Sequence, residues 1–106
     1  MEGNDKKTLN DAVTVQGKYL MYRGRPLVRE ENTICYGYME DKYYLMLTIM
    51  TVTKVGDQEV PDKVLVQLVN TDQSLPSHER IAKQDMKTGL YDAFDIGVIW
   101  LDRYNA

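Results

Sequence analysis

Between Asp41 and Val69 the chain carries two β-rich runs, Tyr43–Thr53 and Lys63–Val69, whose apolar residues fall on both faces of an extended strand. Neighbouring side chains in a strand point to opposite faces, so a strand resting on water alternates apolar and polar residues. A strand covered on both sides does not. In the first run Tyr43, Leu45, Leu47 and Ile49 point one way, and Tyr44, Met46, Met50 and Val52 the other. In the second, Val64, Val66 and Leu68 share one face and Leu65, Gln67 and Val69 the opposite one. Both faces of this sheet call for cover, and the chain offers one good helix. The expectation is that a second copy or a protein partner covers the other face.

The remaining strands are shorter. Lys18–Arg23 and Leu27–Arg29 flank Gly24-Arg25-Pro26, where glycine permits positive φ and proline presets a turn. Glu30-Glu31-Asn32 is a second turn. Thr33–Tyr38 follows as a strand, with Ile34, Tyr36 and Tyr38 on one face and Thr33, Cys35 and Gly37 on the other. Met39–Lys42 and Val55-Gly56-Asp57-Gln58 are further turns. Pro61 limits pairing just before Lys63. Glu79–Lys83 is expected as a short edge strand after the loop Asn70–Ser77.

The chain then reads as a helix from about Thr88 to Tyr104. Thr88 is the expected N-cap with Gly89 next, and Asp85 is an earlier alternative. Leu90, Ala93, Phe94, Gly97, Trp100, Leu101 and Tyr104 form one apolar stripe. Asp92, Asp95, Asp102 and Arg103 define the wet side, where Ile99 stands out as a second contact point. The fold expectation is α+β: an antiparallel meander of about five strands with one C-terminal helix packed on one face. The alternative is a small, partly closed barrel with the same helix. Positions 1–12 (MEGNDKKTLNDA) read as a flexible polar tail, and 13–106 as a single domain.

Composition narrows the function classes. The 106 residues carry a net charge of −3, which gives no global attraction to nucleic acid or anionic membranes. One cysteine, Cys35, forms no internal disulfide, and no apolar run approaches a membrane span, so a cytoplasmic protein is expected. With one His and one Cys, and no CxxC, HExxH or glycine-rich phosphate loop, neither a metal site nor a cofactor is expected. Cys35, His78 and Asp72 are the sole candidates for a nucleophilic site. The simpler reading makes Cys35 a strand hydrophobe and His78 a solvated loop residue. The acid pairs Glu30-Glu31 and Glu40-Asp41 read as turn residues rather than as general acid and base.

One charge feature runs against the acidic whole. Lys18, Arg23, Arg25 and Arg29 are uninterrupted by acids and lie near Tyr19, Tyr22, Tyr36 and Tyr38. Cations beside aromatic rings are how sheet domains hold single-stranded nucleic acid, which makes Tyr22, Arg23, Arg25 and Arg29 its candidate residues. The leading functional expectation is a non-catalytic interaction module that self-associates or binds a protein through Tyr44, Met46, Met50, Val52 and Ile99. A single-stranded nucleic-acid binder is the first alternative. A small-molecule binder, with a pocket between sheet and helix near Trp100, is the second.

Overall fold

The computed structural model describes residues 13–16 and 19–106, with side chains from Leu20 onward; the expected polar tail lies outside the described residues. Seven antiparallel strands make one open sheet in the order β1 (Val13–Gln16), β2 (Tyr19–Tyr22), β3 (Arg25–Glu30), β4 (Thr33–Tyr36), β5 (Tyr43–Ile49), β8 (Lys63–Asn70), β9 (Ile81–Thr88). A separate hairpin, β6 (Val52–Val55) with β7 (Gln58–Pro61), is inserted between β5 and β8. One turn of helix, α1 (Ser77–Arg80), precedes β9, and α2 (Leu90–Tyr104) closes the chain. The fold is α+β. The sheet is not closed into a barrel, and it holds more strands than the five expected.

The core lies between α2 and one face of the sheet. Leu27, Tyr36, Leu45 and Leu68 form one cross-strand row, and Ile34, Leu47 and Val66 form the next. All are buried, together with Ala93, Phe94, Trp100 and Leu101 of the helix. The helix comes very close to β5 because Gly97 has no side chain. A Cβ there would stand 2.5 Å from Leu45 Cδ2 and 2.6 Å from its Cδ1. Asn105, which caps α2, ties the helix end to the start of β5. Tyr43 N–H donates to Asn105 Oδ1 at 2.9 Å, and Asn105 Nδ2 donates to Tyr43 O at 3.1 Å.

Three local expectations are corrected. The long strand does not run to Thr53: β5 ends at Ile49, and Met50-Thr51 is a kink. There Thr51 Oγ1 accepts the Lys63 N–H at 3.1 Å and Thr51 O accepts the Asp62 N–H at 2.8 Å. Side-chain and irregular bonds thus replace the ladder, and the β6–β7 hairpin leaves the sheet at this point. The edge strand expected at Glu79–Lys83 is instead Ile81–Thr88, and Ser77–Arg80 is helical. The N-cap of α2 is Gly89 rather than Thr88 or Asp85, with φ 88° and no side-chain cap bond. Thr88 completes β9, and its hydroxyl accepts from Lys63 Nζ at 3.2 Å.

Candidate interaction surface

Strand alternation that buries Leu45, Leu47 and Val66 under α2 turns their neighbours to the opposite face. One row there runs Val28, Cys35, Met46, Gln67, Gln84; the next runs Glu30, Thr33, Thr48, Leu65, Met86. Tyr44, paired with the buried Val69, continues the surface toward one end. Glu30, at the β3 end of the second row, is the one charged residue in these rows. Val28 and Met86 are 43% and 46% exposed, whereas Cys35, Met46, Thr48, Leu65 and Gln67 are half-buried. Gln67 Nε2 donates to Gln84 Oε1 at 3.0 Å, which ties β8 to β9 across the first row. Burial, with the charge of Glu30, pushes the Cys35 thiol above its ordinary value, and burial does the same for the Tyr44 phenol. The Tyr44 hydroxyl sits beside Arg80, whose Nε donates to Asn70 O at 3.0 Å and closes that end of the face.

Of the expected interface residues, the structure brings only Tyr44 and Met46 together. Met50 lies in the kink and Val52 in the hairpin, both well exposed but off this face. Ile99 is exposed on the outer side of α2, away from the sheet. Val28, Cys35, Thr48, Leu65 and Met86 belong to the face and were not among the expected interface residues. The period-2 reading of Thr33–Tyr38 and Lys63–Val69 already placed Cys35 and Leu65 on the face away from Tyr36 and Val66. What it lacked was the strand order that aligns them with Met46.

The basic hairpin is arranged differently. Arg23 and Gly24, with φ of 50° and 81°, make the two-residue turn between β2 and β3, the positive-φ pair that matches strand twist. Tyr22 packs in an aromatic cluster with Tyr36 and Phe94, at centroid distances of 6.1 Å and 5.4 Å. The Tyr36 hydroxyl donates to Tyr22 O at 2.6 Å. Arg25 is drawn to the helix, where its Nη2 meets Asp102 Oδ1 at 2.7 Å. Arg29 Nε donates to Glu31 O at 3.2 Å, and the Arg23 guanidinium lies 5.2 Å from the Tyr22 ring centre. Between hairpin and helix opens a shallow cleft of about 550 Å³, lined among others by Arg23, Arg25, Tyr38, Asp41, Val98 and Asp102. It lies on the flank of α2 away from Trp100, whose ring faces Lys83 Nζ at 5.4 Å on the β9 side. Two carboxylates in the cleft, one already paired with Arg25, set negative charge where a phosphate would enter. Among the described residues no group of three or more His, Cys, Asp or Glu side chains is placed to hold a metal ion. The Asp72 carboxylate is occupied by the Ser74 N–H and hydroxyl, at 3.0 Å and 2.7 Å. His78 stands exposed 3.8 Å from Glu79.

No helix among the described residues is long and apolar enough to cross a membrane. No family model, no curated protein and no solved structure matches the chain.

Proposed function

We propose that the protein is a non-catalytic interaction module that associates with a second copy of itself through the open face of its sheet. The observation that carries this reading is the chemistry of that face, opposite the one that α2 fills: one cross-strand row on five adjacent strands has no charged residue, and the next is charged only at its β3 end, by Glu30. A sheet face meant for water carries lysines, glutamates and similar groups along every strand. Val28, Met46, Leu65 and Met86 supply apolar area here, and threonine and glutamine supply adaptable hydrogen bonds. Five strands spaced ~4.8 Å apart and six residues of ~3.3 Å rise give about 500 Å² of face. That is the larger part of the roughly 800 Å² per partner found in stable complexes. A second copy meets charge in these two rows only at Glu30, although the chain as a whole is acidic.

Light scattering over a wide dilution series tests the reading. The expected result is a dimer or larger species that loses mass when Met46→Glu or Leu65→Glu places charge at the centre of the face. A wild-type protein that stays monomeric at high concentration contradicts self-association. Capture of a different protein by the same face would then name another occupant.

A further inference from the structure

A second surface shows a complementarity of its own. β9 is the last strand of the sheet, and Ala82 through Met86 are all exposed. The Gly89 N–H donates to Asp62 O at 2.6 Å, which sets the alternation along β9. Lys87, Asp85 and Lys83 turn their backbone groups toward β8, and Met86 and Gln84 turn theirs outward; Ala82 falls in the bulge where pairing steps from Leu68–Lys83 to Val69–Ile81. Met86 confirms the parity: its outward N–H is held by the carboxylate of Asp85 at 2.8 Å, a bond that pairing of this edge must open. The side chains divide in the same way. Lys83, Asp85 and Lys87 pair with Leu68, Val66 and Val64 on the helix side, whereas Gln84 and Met86 pair with Gln67 and Leu65 on the open face.

We propose that two copies of this chain join edge to edge through antiparallel pairing of β9 with β9, about a two-fold axis at Gln84. Outward residues must pair with outward residues, so the register of a symmetric pair moves only in steps that keep this parity. An axis at Asp85 sets Asp85 against Asp85 and Lys83 against Lys87. An axis at Lys83 sets lysine against lysine. The axis at Gln84 sets Lys83 of each copy against Asp85 of the other on the helix side and Gln84 against Gln84 on the open face, with Met86 reaching the bulge at Ala82. An axis at Met86 also opposes unlike charges, Asp85 to Lys87, but Lys87 is half-buried and already meets Asp85 of its own chain at 3.5 Å, whereas Lys83 is exposed. Lysines along an edge ordinarily oppose strand pairing. Here Asp85 between them converts that repulsion into a preference for one register. Opposite-charge pairs across strands favour pairing, and like charges directly opposite disfavour it.

This pairing goes beyond the open-face reading and uses a different surface. Its axis stands normal to the sheet and joins two open faces into one continuous surface. Stacking two such surfaces face to face gives a tetramer with three mutually perpendicular two-fold axes.

Charge reversal tests it. Lys83→Asp places two like-charge contacts in the paired edge, and so does Asp85→Lys. Each variant alone should weaken edge association roughly tenfold or more, while an equimolar mixture of the two should associate as the wild type does, because the mixed pair restores every opposite-charge contact. Circular dichroism of each variant confirms folding, and the recovery in the mixture makes the same point. Light scattering separates the two surfaces: Lys83→Asp leaves a face-stacked dimer, Met46→Glu an edge-paired dimer, and the combined variant a monomer. Edge association that survives Lys83→Asp, or a mixture no tighter than its parts, overturns the Gln84 register. Loss of association with Met46→Glu alone, unaffected by charge reversal on β9, leaves the open-face reading standing and removes this one.

Discussion

On β5 the side chains of Leu45, Leu47 and Ile49 are sealed against α2, while those of Tyr44, Met46 and Thr48, one residue away each time, keep part of their surface in solvent. The same alternation divides β8, where Val64, Val66 and Leu68 are buried and Leu65 and Gln67 are not. The covered face is built of branched aliphatic and aromatic residues fitted closely enough that one glycine sets the helix distance. The open face mixes methionine, threonine, glutamine and cysteine, with charge only at its margins, at Glu30 and Lys63. It is too apolar for a surface selected only for water and too polar for an interior. A face of that kind suits contact that forms and separates, with methionine adapting its shape and threonine and glutamine supplying bonds.

Mutations should separate the two faces by size of effect. Trp100→Ala on the covered side should cost about 3–5 kcal/mol in urea unfolding, because a buried indole is removed and α2 cannot collapse onto the space. Gly97→Ala is the sharper test of close approach. Alanine gains about 1 kcal/mol of helix propensity over glycine, yet the added Cβ meets the Leu45 side chain. The expected outcome is a net loss of about 1–2 kcal/mol from overpacking; a gain in stability would mean that α2 sits farther from β5. Leu65→Thr on the open face should change unfolding by less than about 1 kcal/mol in dilute protein, since its residual exposure limits what is lost. Val28→Ser should fall within about 0.5 kcal/mol on stability and act, if at all, on association. If Leu65→Thr proves as costly as Trp100→Ala in a monomer, the open face is itself core and the contrast fails.

The covered face was largely legible in the sequence. Of the stripe Leu90, Ala93, Phe94, Gly97, Trp100, Leu101 and Tyr104, the middle five are buried, since helix periodicity and a large apolar residue leave few alternatives. Leu90 is half-buried and Tyr104 exposed at the helix ends. The two faces of Lys63–Val69 were readable for the same reason. The limits of the strands were not. Tyr43–Thr53 looks continuous because Met50 and Val52 are apolar. It breaks because Pro61 lacks an N–H and Thr51 offers its hydroxyl to Lys63, a choice made by the partner strand. β9 was compressed to a fragment because its helix-side positions are Lys83, Asp85 and Lys87, which give an edge strand no hydrophobic period. That same charge pattern later supplies the register argument for the edge. The basic hairpin misled in the other direction: nearness in sequence gathers Arg23, Arg25 and Arg29, but Asp102, 77 residues from Arg25, takes one of them into an ion pair.

Cys35 offers the most direct probe of the contrast between the faces, since it lies in the central row of the open face and is the chain's sole thiol. The measurement is its rate of modification by a neutral thiol reagent, followed in the native protein from low to high protein concentration. If a second copy covers this face, the rate falls as concentration rises and recovers with Met46→Glu. A rate that stays constant while light scattering shows the mass increasing would place the contact elsewhere and contradict the account.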